Sequence, residues 1–416
     1  MDNYSNVQGD RRLTKLTFIH AADLHLDSPF AGMSNIPNRI FKRLKESTFQ
    51  SAKNMFELAI DREVDFMLLS GDLFDESNRS LKAQLFLRNQ FLQLQSHGIE
   101  VFIIYGNHDH LGGEWTPIEW PENVHVFLSS TPSEQAFYRE GQLVASIYGF
   151  SYKERAVHEN MTPYYEKTTD APYHIAMLHG TLAGQEGHDA YAPFQLQQLL
   201  ARDFDYWALG HIHKRALLHE DPMVIYPGNM QGRHIKETGE KGCYVVYLSE
   251  DAQRAEFMSC SDVIFETLII DITHTAHMTD LVILVDKKMS GLKERGVPHF
   301  VKIELTGDAP AYMELTQLEV LEELMAVLHE QEEDEDLFVW VMSIDCRTHV
   351  DAVYPEDSFL TELTAEIAEF DAYDELLSPI KRHPTYRKAG RAFTKEDEID
   401  IKEEAQRLLA EQLKQL

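Results

Sequence analysis

Residues 16–27 read LTFIHAADLHLD. Leu16 to Ala21 has the short apolar character of a strand, and Asp23-Leu24-His25 follows at once. Alternate side chains of an extended segment share a face, so Asp23 and His25 can be presented to one crevice. The same event recurs four times: Gly71-Asp72-Leu73-Phe74-Asp75, Gly106-Asn107-His108-Asp109, His179-Gly180 and Gly210-His211-Ile212-His213 each stand at or just after a strand-like run. Ligand sites in α/β sheets lie beyond the carboxyl ends of strands, where five polar clusters can converge.

The intervening segments support that layout. Arg39 to Arg62 carries Phe41, Leu44, Phe49, Ala52, Phe56 and Ala59 at helical spacing, and Leu81 to Ser96 forms a second helix ended by His97-Gly98. Strands are expected at Phe66 to Leu69, Val101 to Tyr105, Val144 to Tyr148, Ile175 to Leu178, Tyr206 to Leu209, Val224 to Tyr226 and Cys243 to Leu248. The early βαβαβ run implies parallel strands covered by helices. From near Phe265 the pattern restarts as strand (Thr267 to Ile270), helix (Thr279 to Leu292), strand (Phe300 to Leu305), helix (Leu315 to Glu330) and strand (Phe338 to Ser343). This is a small α/β unit of roughly 80 residues. Its last loop holds the acidic run Glu332 to Asp336, expected to be solvated. After His349 the chain reads as a charged helical tail. There Thr394 and Asp397 can form a capping box, and Ile401, Ala405, Leu408, Leu409, Leu413 and Leu416 line one face. The expected division is residues 1–260, 261–348 and 349–416.

Composition narrows the class. The chain has 416 residues and a formal net charge of -31, which counts against simple coating of nucleic acid by a basic surface. Local basic patches and bound cations can still hold a phosphate backbone. Lys381, Arg382, Arg387, Lys388 and Arg391 form the dense basic cluster of the sequence. No apolar run is long enough to span a bilayer, and Met1 to Lys15 lacks the apolar stretch of a secretory signal. Cys243, Cys260 and Cys346 are few and scattered, which fits a reduced cytoplasmic protein.

Singly, each polar cluster has an ordinary explanation: Gly-Asp and Gly-Asn are turn dipeptides, and a lone histidine is more often a satisfied core residue than a ligand. Five in order at strand ends point to metal. Carboxylate, amide oxygen and imidazole donors favour manganese, with iron or zinc as alternatives, over an all-oxygen magnesium site. The lack of cysteine near the clusters argues against structural zinc. Asp72 can bridge two ions, which at about 3.5–4 Å apart would clamp a phosphate and activate a water.

As an ordered set these motifs resemble the calcineurin-like metallophosphoesterases, over about Leu16 to Leu248. The stretches FIHAADLHLD (Phe18 to Asp27) and SGDLFD (Ser70 to Asp75) are similar to the SbcD-like DNA-repair exonuclease branch, and YPGNMQGRHIKETGEKG (Tyr226 to Gly242) looks most like its YhaO subgroup. The resemblance implies a layered β-sheet core with flanking helices, a small α/β cap and a helical tail. It implies that Asp23, His25 and His213 hold one metal with bridging Asp72, and that Asn107, His179 and His211 hold the second. His108 would then face the scissile phosphate rather than hold a metal, protonating the leaving oxygen or stabilising the transition state, with Asp75 orienting it by accepting its other ring proton. Asn229 departs from the serine usual after Tyr-Pro-Gly in SbcD-type proteins. The branch implies DNA as substrate, an SMC-like coiled-coil ATPase partner docked by the tail, and homodimers. Two other readings are a phosphatase or phosphodiesterase of small nucleotides or phosphoproteins, and a scaffold with a vestigial site.

Overall fold

The computed structural model describes residues 15–347 apart from 31–32, 34–35, 77–78, 185–190, 251 and 308–317, and beyond 347 only Phe370, Leu376, Leu377, Ile401, Lys402 and Ala405. The expected capping box, basic cluster and most of the tail's apolar stripe lie outside the described residues.

In chain order the elements begin β1 (Leu16–Ala21), α1 (Asn38–Asp61), β2 (Phe66–Ser70), α2 (Leu81–Ser96), β3 (Glu100–Ile104) and β4 (Val124–Val126). There follow β5 (Ser133–Arg139), β6 (Gln142–Gly149), β7 (Tyr173–His179), the short α3 (Leu196–Leu200) and β8 (Tyr206–Gly210). Next come β9 (Ala216–Glu220), β10 (Met223–Tyr226), β11 (Gly242–Leu248) and β12 (Gln253–Ser259).

These strands build two six-stranded sheets, ordered β12-β11-β1-β2-β3-β4 and β5-β6-β7-β8-β10-β9. Strands β1 to β3 run parallel, as expected; β4 adds parallel to β3, whereas β11 joins β1 antiparallel. The expected helical covering is found on one face alone. Ile19, Met67, Leu69, Val101 and Ile103 pack under Ala52, Met55 and Phe56 of α1 and Leu87, Phe91 and Leu94 of α2. The alternate residues Phe18, Phe66, Leu68, Phe102 and Ile104 pack against Ala145, Ile147, Ile175, Met177, Tyr206 and Ala208 of the second sheet. The sheets stack because the face turned from the helices is mainly apolar and needs cover, while its polar members His20 and Ser70 bond to Tyr206, Leu209 and Ala208 of the second sheet.

The helix boundaries have local causes. Ser80 caps α2 by accepting from Ala83 N at 3.2 Å, and left-handed Gly98 follows its end, as the sequence led one to expect. Helix α1 starts after Pro37 with no side-chain cap, so its stability comes from its buried face, Ile40 through Ala59.

The restart near residue 264 gives β13 (Ile264–Asp271), α4 (Met278–Lys293), β14 (His299–Thr306), α5 (Leu318–Glu332) and β15 (Val339–Arg347). The three strands are parallel, with their own apolar core. One end of this unit packs on α1: Val263, Phe265, Phe300, Phe338 and Trp340 cluster with Phe30, Met33, Ile40 and Leu44. The acidic run is not simply solvated. Buried Glu332 accepts from Val339 N at 2.8 Å and pairs with Lys293. Arg39 Nη1 donates to the carbonyls of Glu333 and Glu335, both at 3.0 Å. The Arg39–Asp336 pair adds little, since the Asp336 side chain is 98% exposed and such pairs contribute about 0–1 kcal/mol. The apolar cluster carries the seam.

Candidate metal centre

Strands β1, β2 and β3 are neighbours in one sheet, and β7 and β8 are neighbours in the other. Their carboxyl ends open on the same edge. Asp23 and His25 follow β1, Asp72 follows β2, Asn107 and His108 follow β3, His179 ends β7, and His211 and His213 follow β8. The structure brings all of these proposed site residues together. Reaching inward from a strand end bends the chain hard: Asp23, His25, Asp72 and His211 have positive φ (53°, 42°, 52° and 96°) although none is glycine. Such backbone persists only where the surroundings over-determine it, and it concentrates at functional sites. Close approach explains Gly106, where a Cβ would stand 2.4 Å from Asp72 Oδ1 and 2.6 Å from His179 Nε2.

Three donor clusters form: Asp23, His25 and His213; Asp72, His179 and His211; and His25, Asp72 and His108, with the ligand atoms of each within 4.8 Å of one another. Asp72 Oδ2 lies 3.4 Å from His179 Nε2 of one cluster and 3.8 Å from His25 Nε2 of another, the position a bridging carboxylate needs. Asn107 Oδ1 lies 3.0 Å from His179 Nε2 and 3.1 Å from His211 Nδ1.

The imidazoles show why these residues fit metal ions. His179 Nδ1 donates to the Ser70 carbonyl at 2.9 Å, so its Nε2 lone pair points inward. His213 Nδ1 donates to Glu237 Oε1 at 2.7 Å, and His25 Nδ1 faces Asp75 Oδ1 at 3.2 Å. With the His213 Nδ1 proton given to Glu237, His213 Nε2 offers a lone pair 3.1 Å from His25 Nε2. Outer carboxylates and carbonyls that fix the tautomer are the usual support of histidine ligands.

The electrostatics agree. Burial pushes the Asp23 carboxyl up to about 8, against the pull of His179 and with the push of Asp72. Burial also acts on Asp72, but His179, His25 and His108 outweigh it and hold that carboxyl well below its usual range. Burial would lower His179, yet Asp72 and Asp23 lift it to about 9. The centre is short of positive charge.

The expected contact between His108 and Asp75 is present, and it is made through the main chain. His108 Nδ1 donates to the main-chain carbonyl of Asp75 at 2.7 Å and not to its carboxylate. The Asp75 carboxylate is taken instead by His25 Nδ1 and by Arg233 Nη1.

Several residues around the centre drew no individual role from the sequence. Glu237, beyond its bond to His213, accepts from Asn229 Nδ2 and Arg233 N. Fully buried Asp109 accepts from Gly106 N and Leu73 N, both at 2.7 Å, tying the loops after β2 and β3 together. Arg79 lies between the rings of Tyr105 and Trp115 and donates to the Asp109 carbonyl. Asp109 was visible as the fourth letter of Gly-Asn-His-Asp. Glu237 and Arg233 lie in the stretch Tyr226 to Gly242, but no spacing rule marks them. Glu237→Gln, which keeps the shape and removes the charge, is expected to weaken metal binding about 10–100-fold at unchanged fold, read by metal titration.

Comparison with known proteins agrees with this geometry. The calcineurin-like phosphoesterase family model matches residues 16–215, a span that contains every one of these metal-donor residues. The chain belongs to that family, as a metal-dependent phosphoesterase of the kind that uses a dinuclear centre. It is 52% identical over 406 residues to the uncharacterized metallophosphoesterase YhaO of Bacillus subtilis, covering 97% of this chain and 99% of that one. It is 25% identical to the DNA double-strand break repair protein Mre11 of Methanocaldococcus jannaschii, over 56% of this chain and 63% of that one. It is 23% identical to a subunit of the nuclease SbcCD of Escherichia coli K12, over 51% of this chain and 60% of that one.

Proposed function

We propose that this phosphoesterase hydrolyses the phosphodiester bonds of DNA, in the manner of a repair exonuclease. The observation that carries the chemistry is Asp72, whose Oδ2 lies between His25 Nε2 and His179 Nε2 at the mouth of five strand ends. Asp23, His25, Asp72 and His213 would hold one ion; Asp72, Asn107, His179 and His211 would hold the other, with manganese the first choice. Two such ions, when bound, supply the charge that clamps a phosphate and lowers the pKa of a water. The rest falls to side chains. With Nδ1–H given to the Asp75 carbonyl, His108 keeps Nε2 for the leaving oxygen and hands it a proton. Asp75 holds His108 through its backbone and His25 through its carboxylate.

DNA is favoured by the named functions of the distant relatives, a break-repair protein and a nuclease subunit. Three lysines near the centre also support it: Lys42, Lys45 and Lys82 line a cavity of about 340 Å³ together with Glu46 and with Asp27, which is two residues from His25. The same kinship suggests a partner of SMC-like ATPase type, docked by the tail beyond residue 348, and homodimers. Among the described residues no helix is long and apolar enough to cross a membrane. We place the protein in the cytoplasm on its three free thiols. The deciding experiment is a manganese-dependent assay on labelled linear DNA beside a cyclic nucleotide and a phosphoprotein. DNA cleavage is expected; hydrolysis of the cyclic nucleotide or the phosphoprotein without DNA cleavage would transfer the function to that class.

Residues 261–348 are proposed as a cap that selects DNA. The loop at the metal centre supports this, since Gln231 Nε2 donates to Val263 O at 2.6 Å and Gly239 N to Phe265 O at 2.8 Å. Removing residues 264–347 is expected to lower DNA cleavage while hydrolysis of a chromogenic diester persists. Equal loss of both would make the unit a folding requirement instead.

A further inference from the structure

The stretch from Tyr226 to Gly242 supplies neither a metal donor nor the proton donor, yet it reaches into the centre. Asn229 Nδ2 donates to Glu237 Oε2 at 2.9 Å, and the same oxygen accepts from Arg233 N at 2.7 Å. That network fixes the backbone of Arg233. Its guanidinium then extends to Asp75, where Nη1 donates to Oδ1. Asp75 is also the residue whose carbonyl holds His108. An arginine and the proposed proton donor are therefore mounted on two ends of one residue, at the edge of the donor clusters.

The Arg233 side chain is 18% exposed, and its Nε is buried without an acceptor among the described residues. An unsatisfied buried donor calls for an explanation, and a ligand oxygen is one. Simple neutralisation of Asp75 does not account for it, because a single Nη serves that pair. Arg79, the other arginine nearby, is closed in by Tyr105 and Trp115. A guanidinium stays charged at every working pH and matches phosphate oxygens with its planar fork.

We propose that Arg233 binds the scissile phosphate, taking a non-bridging oxygen on the side that faces His108. This rests on the phosphoesterase reading above. In the reaction a water oxygen forms a bond to phosphorus and gives up one proton to solvent, from which His108 recovers its proton after turnover. The bond from phosphorus to the leaving oxygen breaks, and that oxygen gains one proton from His108. Arg233 exchanges no proton; it holds the charge on the non-bridging oxygen as the geometry at phosphorus inverts.

The test compares wild type, Arg233→Ala and Arg233→Lys, all loaded with manganese. Bis(p-nitrophenyl) phosphate is the substrate and inorganic phosphate the competing ligand. Metal content and melting temperature are expected to stay at wild-type values. For Arg233→Ala, kcat/KM should fall about 10²–10³-fold, the loss typical of one missing anion donor. Inorganic phosphate should bind at least about tenfold more weakly to it by calorimetry, with guanidinium ion restoring part of the rate. Arg233→Lys, with charge but no fork, should fall between. Unchanged phosphate binding in both variants would overturn the proposal and leave Arg233 a holder of Asp75. If Arg233→Ala loses metal, phosphate binding by Arg233→Lys decides. A wild type that binds metal but cleaves no diester would sink the functional reading, while the phosphate titrations would still judge Arg233.

Discussion

Asp72→Asn is expected to lose bound metal and hydrolysis together, down to background. The change keeps the size of the side chain and an oxygen able to accept from His108 N, which Asp72 Oδ1 does at 2.9 Å. The loop after β3 should therefore keep its shape. What disappears is the negative charge that sits between His179 Nε2, 3.4 Å away, and His25 Nε2, 3.8 Å away. No neighbour can replace it, because Asp23 belongs to one cluster and Asn107 is neutral. Elemental analysis after gel filtration, alongside the rate, is the measurement. A variant that retains two ions at full activity would remove Asp72 from the bridge.

His108→Ala is expected to keep the metals and lose about 10²–10⁴-fold in turnover on DNA, the range of general-acid contributions. That corresponds to about 3–5 kcal/mol of transition-state stabilisation. The leaving group separates the roles. A sugar alkoxide needs its proton, whereas p-nitrophenolate leaves without one, so the loss should shrink sharply on p-nitrophenyl esters. The structure makes a metal-binding role conceivable, since a ring nitrogen of His108 joins the cluster with His25 and Asp72. Metal content is therefore measured with the rate: a demetallated variant would make His108 a ligand, and equal losses on both ester types would deny it the proton.

The strands and helices that build this site were legible because they are buried on both sides. Leu16 to Ala21, Phe66 to Ser70 and Tyr206 to Gly210 are buried almost throughout, since one face meets helices or covering loops and the other meets a second sheet. The strands that escaped notice are β4, β5, β9 and β12, and these are the four edges of the two six-stranded sheets. Their residues are mostly half-buried or exposed, and polar side chains break the apolar pattern there. The stacking of two sheets was also hidden, because a continuous apolar run does not say whether a helix or a sheet covers it. At the centre, the proposed donors could be picked out since they stand at strand ends in short motifs. Glu237 and Arg233 could not, because they reach the site from a loop whose course is set by contacts distant in sequence. That Asp75 would hold His108 by its main-chain carbonyl and spend its carboxylate elsewhere was hidden for the same reason: the carboxylate's partner Arg233 lies 158 residues away.

The donor groups come from loops of both stacked sheets, with Asp23, Asp72 and Asn107 on one and His179, His211 and His213 on the other. An ion held across that seam can bind only while the sheets are packed, so occupancy and folding become linked equilibria. For a ligand that recognises only the native chain, the gain is about 2.7 kcal/mol at a free concentration one hundred times its Kd. That is a sizeable share of the roughly 5–15 kcal/mol by which a domain is stable. Scarcity of metal would then act on this protein twice: it would silence the chemistry, and it would raise the fraction of molecules whose two halves have come apart.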